Sequence, residues 1–204
     1  SLFVQAKLEK IDPPLGLPPI PWPKDNLYTR EKADLGRFLY FDKRLSSDQT
    51  ISCASCHNMR CAYSDCKAIA IGIDHSKGTR HSPTIINAAY SPFLFWDGRA
   101  GSLEEQCKGP LGNPKEMTNT KYPHEAHRQC ADRVRSISGY HPLFEKAFGN
   151  KEVTIDEVAK AIAAFERTIL SGNSSFDRYV AGDRFSLSPE QIHGMAVFKK
   201  AGCV

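Results

Sequence analysis

Cysteines at positions 53 and 56 followed at once by a histidine, Cys53-Ala54-Ser55-Cys56-His57, carry more chemical information than any other stretch of this sequence. Two thiols three residues apart come to one side of a single turn, where each can form a thioether to a vinyl group of haem. The next residue can then swing its imidazole under the iron. The spacing predicts covalent haem attachment at Cys53 and Cys56, with His57 as axial ligand. Half of a zinc site, or a redox-active cysteine pair, is the competing use of the same thiols. Zinc needs a second ligand pair, and the nearest candidates, Cys61 and Cys66, have a C-x-x-x-x-C spacing foreign to zinc ribbons and knuckles.

Of the 7 cysteines, two lie in this pentad, Cys203 stands next to the last residue, and Cys61, Cys66, Cys107 and Cys130 remain. In an oxidising compartment these four could form two disulfides in any of three pairings, and small buried thiols are the alternative. Haem attachment to C-x-x-C-H is a chemistry of the exported side of bacterial membranes. The expected location is therefore the periplasm, with a signal peptide removed before Ser1. No apolar run approaches the ~18 residues of a membrane span. A net charge of +4 over 27 basic and 23 acidic residues is too mild for a nucleic-acid partner, and no basic run is interleaved with aromatics.

The elements that must position this chemistry read as mostly α. Residues 1–28 form a proline-rich N-terminal arm, extended because proline fixes φ and removes backbone donors. From Thr29, a possible N-cap, Ala33, Leu35, Phe38 and Leu39 approximate helical spacing, and a short helix leads into the pentad. Residues 58–92 have little periodicity and many Gly, Ser, Asp and Pro, which predicts a long irregular loop. Capping boxes at Ser102, Thr154 and Ser188 open three later helices, the last with proline at its first position. In the second of these, Val158, Ile162, Phe165 and Ile169 share one face, and Ser171-Gly172-Asn173 supplies a stop. A further helix near 124–137 uses Ala126, Cys130, Val134 and Ile137, and no segment alternates as a strand.

Taken in order from about residue 30 to the end, several stretches resemble one family, the bacterial di-haem cytochrome c peroxidases and their relatives in the methylamine-utilisation (MauG) group. They include Leu35-Gly36-Arg37-Phe38-Leu39-Tyr40-Phe41-Asp42, the pentad itself, Ser82-Pro83-Thr84-Ile85-Ile86-Asn87 and Phe95-Trp96-Asp97-Gly98-Arg99-Ala100. Asn113-Pro114-Lys115-Glu116-Met117, Ala161 to Thr168 and Phe176-Asp177-Arg178-Tyr179 complete the series. The resemblance implies two cytochrome c-like domains, each with its own haem: a peroxidatic domain over 29–170 and the start of an electron-transfer domain over 171–204. Phe198-Lys199-Lys200-Ala201-Gly202-Cys203 is similar to the phrase before the second attachment motif. Cys203 is thus expected to be a second haem's first tether, with the rest of that domain beyond Val204.

The same resemblance assigns roles. Glu116 matches the distal acid-base glutamate, Gln106 the glutamine beside it, and Trp96 the tryptophan lying between the haems, although a core aromatic would read alike. In the peroxidases proper a histidine after an Ile-Gly pair caps the iron. Here Ile71-Gly72 is followed by Ile73-Asp74-His75, so His75 comes two residues late and reaches the iron only if the loop bulges. That spacing looks more like the MauG side, where the first haem is five-coordinate. His81 stands where relatives carry a calcium-site asparagine, and imidazole suits that hard cation poorly, which makes calcium doubtful.

The leading expectation is a peroxidase that reduces hydrogen peroxide to water with electrons from a small c-type cytochrome or cupredoxin; relatives are often homodimers. The alternatives are a MauG-like oxidase acting on a partner protein, and a c-type electron carrier whose iron is capped by His75, Met59 or Met117.

Overall fold

The computed structural model describes residues 10–203 and is helical, with only three isolated bridges, Asn58–Ser64, Ile71–Lys77 and Leu94–Ala100, and no strand among the described residues. Two compact units divide it. The first holds Ile20–Ile169 and the second Asp12–Pro19 with Leu170–Val204. The proline-rich stretch expected as one arm is thus shared between the units, and residues 1–9 of that arm lie outside the described residues.

In the first unit, helix α1 (Arg30–Phe41) starts where the Thr29 side chain accepts a hydrogen bond from the Lys32 N–H. Helix α2 (Cys53–Cys56) is a single turn, and α3 (Leu103–Leu111) begins at Ser102, whose hydroxyl accepts from the Glu105 N–H at 3.1 Å. The Glu105 carboxylate reaches back one residue further than a capping box requires, to the Gly101 N–H at 3.0 Å. Helices α4 (Pro123–Ser136) and α5 (His141–Phe148) follow, and α6 (Ile155–Glu166) opens with the complete Thr154–Glu157 capping box.

Helix α6 is the centre of the unit. Val158 to Phe165, Lys160 apart, are buried, so the helix is apolar on nearly all sides and packs against α1, α3 and α4. Close packing with α1 depends on Gly36: a Cβ there would stand 1.8 Å from the Ala161 carbonyl oxygen. Leu35, Leu39 and Tyr40 of α1 and the stripe Leu103, Cys107, Leu111 of α3, four residues apart, complete the core.

The expected stop at Ser171-Gly172-Asn173 comes too late, because α6 ends at Glu166. The Thr168 hydroxyl and N–H both donate to the Phe165 carbonyl, at 2.7 and 2.8 Å, and the Ile169 N–H donates to Glu166 O at 3.0 Å. These tighter bonds replace the α-helical ladder and turn the chain out of it.

In the second unit, α7 (Ser175–Val180) and α8 (Pro189–Lys200) each open with a capping box, Ser174–Asp177 and Ser188–Gln191. The Asn173 N–H donates to the Leu15 carbonyl at 2.7 Å, which ties the 12–19 segment to this unit. No described helix is long and apolar enough to cross a membrane.

Candidate functional site

The pentad forms its turn because Ser52 and Ser55 cap each other's backbone and the His57 N–H closes on the Cys53 carbonyl at 2.9 Å. Tyr40 of α1, fully buried, donates its hydroxyl hydrogen to the His57 carbonyl at 3.1 Å, so the core helix holds the loop directly. The His57 ring is fixed from the other side: Nδ1–H donates to the Pro83 carbonyl at 2.8 Å, which leaves Nε2 as the nitrogen able to bind a metal. Burial lowers the imidazole's pKa and favours the neutral, ligating form. Cys53 and Cys56 are free thiols, both kept protonated by burial, Cys56 up to about 11.

Beside this turn opens a cleft of about 430 Å³, within the ~300–1,000 Å³ typical of small-molecule and cofactor sites, continuous with a smaller lobe through shared walls. Cys56, His57, Gln106, Pro110, Glu116 and Glu166 line both lobes, and Cys53 lines the smaller. Residues 103–166 thus bring side chains from three elements to the pentad. Gln106 comes from the face of α3 beside its buried stripe, Glu116 from the loop after α3, and Glu166 from the end of α6.

Glu116 is held by a one-turn loop in which the Asn113 carbonyl accepts from the N–H groups of Glu116, Met117 and Thr118 at 3.0, 3.1 and 3.3 Å. The Asn113 amide donates to Glu116 Oε1 at 2.5 Å, a bond that leaves Oε2 out, and Glu116 lines the cleft. Burial raises the carboxyl pKa, opposed in part by the Asn113 hydrogen bond and by the Arg99 charge. Gly72 presses against this loop, and the Ile73 N–H donates to the Glu116 carbonyl at 3.0 Å.

That contact also decides where His75 goes. Ile73 is buried, the Gly72 N–H donates to Ser76 O at 2.8 Å, and Asp74 and His75 both adopt positive φ at the tip of the turn. His75 is consequently exposed and lies outside the cleft, so this loop does not bulge toward the pentad. His81 does line the cleft, its Nδ1–H donating to Lys67 O at 2.9 Å. Trp96 lines the rim and is 63% exposed, not a core aromatic; its indole N–H donates to the His81 carbonyl at 2.7 Å. Met59 is exposed, whereas Met117 is buried against the smaller lobe.

Cys61 and Cys66 are joined by a disulfide, and Cys107 and Cys130 are free and buried, so one of the expected pairings and the buried-thiol alternative each hold for half of the set. The disulfide removes those thiols from any zinc site, and no group of three or more metal-ligating side chains occurs among the described residues. Cys203, exposed, follows the turn after α8 in the second unit.

Sequence reasoning missed Glu166, which is 4% exposed and has an Oε2 with no hydrogen-bond partner. Its signal was a carboxylate four residues after Ile162, on a helix face that is otherwise apolar. A cleft lined by two thiols, an oriented imidazole and an unsatisfied buried carboxyl fits a flat, covalently tethered haem; zinc would find too few ligands there.

The chain is similar to known proteins in four respects. Residues 30–185 match the family model described as di-haem cytochrome c peroxidase. The chain is 41% identical over 174 residues to cytochrome c551 peroxidase of Nitrosomonas europaea, covering 85% of this chain and 50% of that protein. It is 38% identical over 188 residues to methylamine utilization protein MauG of Methylophilus methylotrophus, covering 91% and 54%. The crystal structure of a MauG-like protein associated with microbial copper homeostasis superposes with a TM-score of 0.81 at 31% identity, over 92% of this chain and 54% of that one. The chain thus spans about half the length of the curated relatives it matches.

Proposed function

Because the chain belongs to the di-haem cytochrome c peroxidase family, a membership that implies haem c, we propose that its first unit is a peroxidatic haem domain reducing hydrogen peroxide to water. Cys53 and Cys56 would tether the haem through thioethers, and His57 Nε2 would bind its iron while Pro83 holds the ring in that tautomer. Haem, when bound, would supply the redox-active iron at which peroxide is reduced.

The rest is the work of this chain's own side chains. Glu116 Oε2 takes a proton from peroxide and returns it to the departing oxygen, so that water leaves in place of hydroxide. The Gln106 amide, from α3, orients the peroxide beside Glu116. Trp96, held by its bond to the His81 carbonyl, would relay electrons, a role supported by its place on the cleft wall. Two protons and two electrons convert each peroxide to two waters, the electrons coming from a small c-type cytochrome or cupredoxin in the periplasm.

The observation that carries this reading is the convergence of Glu116 and Gln106 on the cleft that holds the C-x-x-C-H residues. An electron carrier has no use for that pair. A second reading, oxidation of a partner protein, is favoured by His75 standing outside the cleft, since that leaves no capping histidine from this loop. The test is steady-state peroxide consumption by the haem-loaded full-length protein with a reduced small cytochrome c, beside Glu116→Gln. A loss of about 10²–10⁴-fold in the variant supports the peroxidase. Absence of turnover in the wild type removes it in favour of partner oxidation or electron transfer.

A further inference from the structure

Glu166 ends α6 and lines both lobes of the cleft, and nothing in the proton path assigned to Glu116 uses it. A buried carboxylate normally survives by pairing, yet Oε2 of Glu166 has no hydrogen-bond partner.

The adjacent cation compensates it only in part: the Arg167 charge favours the ionised carboxylate, and burial outweighs it. Arg167 is itself buried and committed to Glu104 through two bonds, Nη1 to Oε1 at 2.6 Å and Nη2 to Oε2 at 2.9 Å. The groups facing Glu166 from the packed elements are Tyr40 of α1, Cys53 of α2 and Cys107 of α3, all held neutral by burial. Cys130 of α4, beside Cys53 and Cys107, is neutral for the same reason. Glu104 and Arg167 pair with one another, and the other carboxyls lining the cleft are Glu116 and Asp97, the latter paired with Arg99. An ionised Glu166 is therefore a net buried negative charge, and burial pushes its carboxyl up to about 8.

A redox centre in the same cleft gains one unit of negative charge on reduction, so the electron and the ionised carboxylate disfavour each other. We propose that Glu166 is the redox-linked proton site of this cleft, binding a proton from water as haem accepts an electron and releasing it when the electron leaves. The exchange balances, since one electron from a small reduced protein or an electrode enters with one proton. Net charge in the cleft stays constant. The inference rests on the reading that the cleft holds haem, and it adds a second carboxyl whose role is electrostatic and distinct from that of Glu116.

The test is a spectroelectrochemical titration of the haem tethered at Cys53 and Cys56 in the full-length protein from about pH 6 to 10, for wild type, Glu166→Gln and Glu116→Gln. The expected wild-type potential falls with rising pH, approaching about 59 mV per tenfold change in proton concentration. Glu166→Gln should be flat over that range, while Glu116→Gln keeps the slope. Glu166→Asp retains an acid and should keep a slope at a displaced pH. A reduced-minus-oxidised infrared spectrum of the wild type should show a protonated carboxyl gained on reduction, which needs no variant. A flat wild-type potential, or an unchanged slope in Glu166→Gln, overturns the inference even when peroxide turnover is intact. A protein that carries no thioether-bound haem overturns the haem reading and this inference together.

Discussion

Replacing Gly72 by alanine should disable the site from outside it. A Cβ built at Gly72 stands 2.1 Å from the Lys115 carbonyl oxygen, 2.7 Å from Glu116 Cα and 2.8 Å from Glu116 O. Carbon needs about 3.5 Å from such atoms, so the two backbone segments must separate by more than ~1 Å. Neither side can yield as a flexible side chain would, because every one of these atoms is main chain. The separation also breaks the Ile73 N–H to Glu116 carbonyl bond, now 3.0 Å, which fixes the height of the 113–117 turn.

Overpacking of this kind costs about 1–3 kcal/mol, and the lost hydrogen bond adds about 0.5–1.5 kcal/mol. A displacement of ~1 Å in a group that transfers protons costs on the order of 10²-fold in rate. The assay is steady-state peroxide consumption by the haem-loaded full-length protein, with haem content and thermal unfolding measured on the same preparations. Gly72→Ala should lose about 10²-fold in kcat/KM with haem attachment intact. Gly139→Ala, which meets nothing within 4 Å, should match wild type. Activity and stability of Gly72→Ala within twofold and ~0.5 kcal/mol of wild type would refute the argument that this close approach positions Glu116.

Three further outcomes are expected, two at Glu116 and one in the core. On the proposed reading Glu116 acts as a base, so turnover should fall as pH drops through its pKa, which burial holds above the ordinary carboxylate value. Asn113→Ala removes the hydrogen bond that favours the ionised form and should move the acid limb to higher pH; a limb that stays in place contradicts the assignment. In the core, Gly36→Ala puts a Cβ 1.8 Å from the Ala161 carbonyl oxygen and must force α1 off α6. Denaturant unfolding should show a loss of about 1–3 kcal/mol or more, and an unchanged midpoint would show that the helices can slide apart freely.

The residues legible from sequence alone were those whose meaning is local. The pentad depends on spacing within one turn, and Thr29, Ser102, Thr154 and Ser188 cap helices through bonds to residues three positions on. The apolar stripe of α6 predicts a buried helix in the same way, and family resemblance extended the reading to Gln106, Glu116 and Trp96. The end of α6 was misread because Ile169 continues the apolar spacing, while the bonds from Thr168 and Ile169 that stop the helix follow no hydrophobic period.

What the sequence by itself determined, then, was the helical class, the C-x-x-C-H turn and the candidate acid, since each is written in near-neighbour spacing or in a matching motif. Only the tertiary structure decided which side chains share the cleft. Gly72 against Lys115 and Glu116 turns His75 outward, Pro83 selects the free nitrogen of His57, and Trp96 is placed at the rim. The burial that leaves Glu166 Oε2 without a partner likewise arises from α1, α3 and α6 meeting, elements far apart in the chain. Proximity of that kind is set by packing, and no local pattern of residue types encodes it.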